Sequence, residues 1–292
     1  MITGLDLPAK TPFDFTASLR FLRRFPATAG EQEATDHVLT KALRAGGHTV
    51  VARLSALDET PGLRCELHSA SPLPEEAVAA AADRLRFYLS LDDDLTDFYA
   101  IGRDDPEFSL VIDRLYGYHQ VKFPSPLENL VWAILCQRVP MPVAAKAKES
   151  LAEVFGNRLD VDGVQHTAFP DLDQLLGLSA DRLGELVGNT LKAQRLHAAL
   201  RIWAEVDEGF LRAGPREQVE EFLLRLPGIG PWSASFILIR GLGRVEEASI
   251  DKPLLASAGR VYRRALSEPQ VRSLAGRYGR WQGYWAHYLR TA

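Results

Sequence analysis

Apolar positions along the chain follow two different periods. In residues 34–70 they alternate with polar ones in the pieces HVLTKAL, HTVVARLSAL and LRCELHSA, broken at Gly46-Gly47 and Pro61-Gly62. Alternation of that kind puts one apolar face on a strand, so these pieces predict an antiparallel sheet. HVLTKALRA fits a helical period equally well. Pro72 and Pro74 then precede EEAVAAAADRLRFYLSL, a helix with carboxylates in its first turn. From Pro124 onward every segment is helical in period, from PLENLVWAILCQRV through TLKAQRLHAALRIWAEV to WQGYWAHYLR, with Gly, Pro or Asn between segments. The expected fold is α+β: a small antiparallel-sheet N-terminal domain in residues 1–117, then an all-helical body in residues 118–292.

One stretch departs from plain amphipathic helix. LPGIGPWSASFILIRGLGRVEEASID runs from Leu226 to Asp251, preceded by the amphipathic EQVEEFLLR. Pro231 suits a first helical turn, and Gly241 and Gly243 suit its end. Without a Cβ at Gly228 or Gly230, backbone N–H groups at the new helix's N-terminus are open to a phosphate. Asp251, before Lys252-Pro253, has the position of a helix cap. A cap also holds a carboxylate ionised and rigid, so capping and catalysis are compatible.

Composition narrows the class. With 46% hydrophobic and 25% charged residues the chain reads as an ordinary soluble globular protein. Cys65 and Cys136 lie far apart with no metal-ligand spacing, which argues against disulfide, zinc and iron–sulfur sites and for a cytoplasmic location. MITGLDLPAKTPFDF lacks the basic start and apolar core of a signal peptide, and no apolar run is long enough to span a bilayer. The net charge of −4 is uneven: residues 225–292 hold 11 Lys/Arg against 4 Asp/Glu, a surplus of 7 that leaves −11 on residues 1–224. A basic last quarter on an acidic body fits one face turned to phosphates.

Leu-Pro-Gly-Ile-Gly-Pro-Trp, an apolar helix and an aspartate some twenty residues later resemble the helix-hairpin-helix (HhH-GPD) DNA glycosylase superfamily. The order of elements is similar to bacterial 3-methyladenine DNA glycosylase II, which favours strand for HVLTKALRA. The resemblance implies Asp251 as the catalytic carboxylate and a base pocket built from Trp232, Phe236, Trp281 and, from PFDFTASLRFLRRF, Phe21. It implies DNA contacts at Gly228, Ile229 and Gly230, at Gln137 and Arg138 in ENLVWAILCQRV (Arg138 at the wedge position), and at Lys192. Bifunctional relatives carry a lysine where Trp232 stands, so a lyase step lacks its amine, and no C-terminal four-cysteine cluster is present.

The resemblance implies a monofunctional enzyme that flips a damaged base from double-stranded DNA and hydrolyses its glycosidic bond, leaving an abasic site for base excision repair. Purines alkylated at N3 or N7 are the expected substrates, since an aromatic pocket favours cationic rings. Asp251 would stabilise the cationic sugar and orient water. Two alternatives stand beside this: a non-catalytic helix-hairpin-helix protein that recognises damage, and a glycosylase for oxidised or deaminated bases. No cofactor or catalytic metal is expected; a structural Na⁺ or K⁺ at the carbonyls of Leu224, Leu226 and Ile229 is what the resemblance adds. A monomer with no membrane partner is expected.

Overall fold

A computed structural model describes residues 1–28 and 30–292. Strand β1 (Ile2–Pro8) and helix α1 (Phe15–Leu22) open the chain. Four strands follow, β2 (Gln32–Ala34), β3 (Val38–Ala45), β4 (His48–Ala56) and β5 (Gly62–Ser69), and then helices α2 (Glu75–Tyr88), α3 (Thr96–Arg103) and α4 (Ser109–Arg114). The strands form one antiparallel sheet in the order β1-β5-β4-β3-β2, in the register Leu5↔Cys65, Leu54↔Cys65 and Leu39↔Leu54. HVLTKALRA is thus strand. Leu39, Leu43, Val50, Ala52, Leu54, Leu63, Cys65 and Leu67 project into the first core, against Leu85 and Tyr88 of α2.

The body begins with α5 (Pro126–Leu135) and α6 (Met141–Glu153). It is not wholly helical, because β6 (Arg158–Val161) and β7 (Val164–Thr167) then form a hairpin. Asp162 and Gly163, both at positive φ, make its two-residue turn. Leu159, Val161 and Ala168 cover Ala42 and Val51 on the sheet's outer face, so the hairpin shields apolar surface left by the sheet's pleat. Helices α7 (Leu172–Leu176), α8 (Ala180–Val187), α9 (Thr190–Trp203), α10 (Glu208–Ala213), α11 (Arg216–Arg225) and α12 (Pro231–Arg240) complete a second core with α5 and α6. The chain ends in α13 (Lys252–Val261), α14 (Glu268–Gly276) and α15 (Gln282–Thr291).

These last helices correct the expected domain division at residues 117 and 118. Leu254, Tyr278, Tyr284, Trp285 and Leu289 pack into the first core, with the sheet and α2–α4. The second core runs from Phe123 to Leu242, joined by Ala27. Two cores therefore exist, but the first is built from both ends of the chain. They share a buried charge cluster, in which Lys148 pairs with Glu31 and, at 2.8 Å, with Glu128, and Lys41 reaches Glu31 at 2.9 Å. Burial works to raise the Glu31 carboxyl, but Lys148 and Lys41 hold it down at about 2.

Lys148→Met should destabilise the fold by about 3–5 kcal/mol in urea denaturation at neutral pH, because it strands the buried Glu128 carboxylate and leaves Glu31 with Lys41 alone. The Glu31 contribution has a defined sign. Its folded pKa lies below the ordinary 4.5, so its stabilisation is complete above that value and is lost as pH falls towards 2. Acid titration of stability should show that window in the parent protein and lose it in Glu31→Gln.

Candidate active site

Helix α11, the turn Leu226–Gly230 and helix α12 form the hairpin. The Ile229 N–H donates to the Leu226 carbonyl at 3.0 Å, and Gln137 Nε2 donates to the Gly228 carbonyl at 2.7 Å. Gly228 has φ +89, and a Cβ there would meet Arg195 Cδ at 3.0 Å. Gly230 has φ −104 and ψ 179, which any residue adopts, and a Cβ there would stand in open space. The first glycine serves the fold; the second leaves the mouth of α12 uncovered. Ile229 is buried in the second core, so it offers backbone rather than side chain to a ligand.

Asp251 precedes α13, and its Oδ1 caps that helix by accepting the Leu254 N–H at 2.9 Å. The same oxygen accepts Arg290 Nη1 at 2.9 Å, and Oδ2 accepts the Trp232 indole N–H at 3.4 Å. Burial works to raise this carboxyl. The Leu254 N–H, the Arg290 guanidinium and the Trp232 indole outweigh it and hold the pKa below the ordinary 3.8. Oδ2, with one long hydrogen bond, is the less engaged oxygen.

The carboxylate stands in a cleft of about 170 Å³ together with Gln120, Trp232, Phe236, Arg240, His287 and Arg290. Trp232 and Phe236, one helical turn apart on α12, lie parallel with centroids 5.4 Å apart and planes 8° apart. Trp232 is 49% exposed, an unusual position for a tryptophan unless that surface has a use. Opposite them α15 presents Gly283, Ala286, His287 and Arg290, which share one helical face. His287 is bonded to the Tyr118 hydroxyl at 2.9 Å; burial, then Arg240 and Arg290, push its pKa well down and keep it neutral.

Several expected roles change. Trp281 does not line the cleft: it ends the short 3-10 turn before α15 and packs on Phe98 and Tyr284, because its side of the helix faces the first core. Phe21 reaches the cleft only indirectly, touching His287 and Arg240, while its own ring opens onto an adjoining cleft of about 830 Å³. Lys192 is buried, and its ammonium caps the carbonyl of Leu135 at the end of α5 rather than facing phosphate. Gln137 braces the hairpin through Gly228. Arg138 is exposed, in a left-handed conformation at φ 53, and has no hydrogen bond or ion pair among the described residues. Gln120, Arg240, His287 and Arg290 were not anticipated as cleft residues; a polar pair three residues apart in the aromatic run GYWAHYLR was the one sequence signal for the last two.

No family model matches the chain. It is 23% identical over 282 residues to a DNA-3-methyladenine glycosylase of Bacillus subtilis, covering 95% of this chain and 93% of that one. It is 31% identical over 160 residues to DNA-3-methyladenine glycosylase 2 of Escherichia coli, 54% of each chain. The 3-methyladenine DNA glycosylase of Archaeoglobus fulgidus superposes with a TM-score of 0.79 at 21% identity, over 99% of this chain and 97% of that one. The chain resembles the helix-hairpin-helix DNA glycosylases in sequence and in fold. An 8-oxoguanine glycosylase/lyase of Clostridium acetobutylicum shares the glycosylase fold with a TM-score of 0.70 at 18% identity, over 96% and 92% of the two chains.

The two hairpin glycines should separate fold from binding. Gly228→Ala should lower the melting temperature, through its positive φ and the Arg195 contact. Gly230→Ala should leave it within about a degree, since nothing lies near the new Cβ. Both should weaken DNA binding to a similar degree on damaged and undamaged duplexes, measured by fluorescence anisotropy.

Proposed function

We propose that this protein is a monofunctional DNA glycosylase that flips an alkylated purine out of the duplex and hydrolyses its glycosidic bond. The observation that carries the proposal is one juxtaposition. An ionised, rigidly capped Asp251 shares a base-sized cleft with an exposed, stacked Trp232–Phe236 pair, next to the hairpin. The names of the Bacillus subtilis and Escherichia coli relatives support the alkylated-purine substrate.

In this reading the hairpin N–H groups at α12 hold a phosphate beside the lesion, and a monovalent cation bridged by the carbonyls of Leu224, Leu226 and Ile229 would reinforce that grip. Arg138 fills the gap left by the extruded base. The flipped ring stacks on Trp232. The C1′–N bond breaks with its electron pair leaving on the base, and positive charge develops on the sugar. Asp251 stabilises that charge through Oδ2, orients the water that attacks C1′ and accepts the proton that water gives up. No amine stands at Trp232, so water is the nucleophile and the strand stays intact. Lys252 is exposed on the first turn of α13, one residue and about 100° round from Asp251.

Asp251→Asn tests this reading. Asn is as good a helix cap as Asp, so the variant should fold, bind abasic-analogue DNA and melt near the parent. Base release should fall by about a thousandfold or more, since the amide carries no charge when the sugar becomes cationic. Near-parental turnover would reduce Asp251 to a cap and favour a binding protein without catalysis. Borohydride treatment during turnover should trap no covalent adduct. An adduct lost on Lys252→Ala would make the enzyme a lyase.

A further inference from the structure

Two polar side chains in the cleft have no use in the chemistry above. Arg240, the last residue of α12, lies over the rings of Phe21 and Phe25 with its guanidinium carbon 5.2 and 4.9 Å from their centroids. Its Nε and Nη2 are enclosed and have no hydrogen-bond partner among the described residues. Gln120 is 1% exposed, and its Oε1 is likewise enclosed without a partner. Both line the cleft that holds Asp251 and the Trp232–Phe236 pair. One backbone bond brings them together: the Phe123 N–H donates to the Arg240 carbonyl at 2.7 Å, laying residues 120–123 beside the end of α12.

Buried donors and acceptors are nearly always paired, so two unpaired guanidinium N–H groups and an unpaired amide oxygen, enclosed on residues that line one cleft, point to a ligand that reaches them there. Burial lowers the Arg240 pKa to about 10, which leaves it a full cation at neutral pH. The charge that faces it is not reassuring for a cationic guest. Arg290 is a second cation in the same cleft, His287 is neutral, and the one carboxylate, Asp251, is already paired with Arg290.

Resting on the glycosylase reading, we infer that Arg240 and Gln120 read the edge of the flipped base and select purines with a lactam edge. A lactam sets a ring carbonyl beside a ring N–H: the carbonyl accepts from Arg240, and the N–H donates to Gln120 Oε1. Guanine alkylated at N7 keeps that edge, and hypoxanthine has it without any positive charge. Adenine alkylated at N3 offers an amino group in place of the carbonyl. Seated in the same orientation it therefore turns donor against donor at Arg240; the positive charge it shares with N7-alkylguanine separates both from neutral hypoxanthine. The aromatic face of Trp232 attracts any of the three, so stacking gives affinity while the Arg240–Gln120 edge sets the order among them.

The test is single-turnover base release from duplexes carrying one hypoxanthine, 7-methylguanine or 3-methyladenine, each rate divided by its spontaneous loss. The enhancement should be larger for hypoxanthine and 7-methylguanine than for 3-methyladenine by about tenfold or more, because a site built around hydrogen bonds rejects a guest that leaves them unmade. Arg240→Met and Gln120→Leu should each lower that ratio by about tenfold, and Arg240→Lys should restore part of it. A merely structural role for Arg240 would depress all three rates together. An unchanged ratio in folded Arg240→Met, or in Gln120→Leu should the first variant not fold, overturns the inference. So does a parental preference for 3-methyladenine, and in both cases the glycosylase reading stands. Release of none of the three bases would instead defeat the glycosylase reading.

Discussion

The cleft depends on how the last helix is buried. Helix α15 is an aromatic rod enclosed almost all round, and it holds its place through polar atoms set among the rings. The Tyr288 hydroxyl lies 2.6 Å from the Tyr118 carbonyl and 3.1 Å from that of Leu115, and Tyr284 bonds Asp93. Trp285 Nε1 donates to the Tyr262 hydroxyl, which with Tyr278 donates to buried Asp105. Each bond has a direction, so the helix is fixed in rotation as well as position, which apolar packing alone specifies less sharply. Rotation is the quantity that matters. A helix turned by one residue, about 100°, would take His287 and Arg290 away from Asp251.

The same return of the chain explains why two cores behave as one platform. The hairpin and α12 belong to the second core, whereas α15 and the helix capped by Asp251 belong to the first. A cleft between them keeps its shape only if the cores keep theirs. The Glu31–Lys41–Lys148–Glu128 cluster joins the sheet side to α5 and α6, and the Arg240 carbonyl ties α12 to the strand-like segment before α5. A buried ion cluster contributes little net stability, but its geometry tolerates few alternatives, and a fixed relation between the two cores is what this site requires.

Much of this was legible in the sequence, and the remainder was not for identifiable reasons. Period-two alternation located the sheet, and the hairpin glycines with Asp251 located the hairpin and the cleft beside it, because both signals are local. The β6–β7 hairpin carried its own signal, an Asp-Gly turn between RLDV and VQHT, but four-residue strands are too short to outweigh helical segments on either side. The resemblance implies a pocket role for Trp281; whether it faces cleft or core depends on how the turn before α15 is set, which composition does not give. The resemblance makes Lys192 a DNA contact, and only the end of α5 placed against it shows the ammonium turned inward. Gln120 and Arg240 were beyond reach, being 120 residues apart and joined through a single backbone contact.

Asp251 meets three demands, and they do not all pull the same way. As a cap it is held by the Leu254 N–H, which fixes Oδ1 and favours the charged form. As a partner of Arg290 it is kept ionised, yet much of its field is cancelled in the free protein. In the proposed reaction, work on a cationic sugar would need that field restored, and a sugar seated near Oδ2 would compete with Arg290 for the same carboxylate. Arg290 is well suited to yield. Its side chain is about a third exposed, and it lines both the small cleft and the larger arginine-rich one beside Phe21. Its side chain thus borders a second cleft, and the pair, about a third exposed at Arg290 and less at Asp251, is partly screened by solvent. The helix cap does not loosen with it. A carboxylate fixed by backbone and paired with a partly exposed arginine stays ionised, and in the proposed reaction it would regain its field where the occupant of the cleft displaced that arginine.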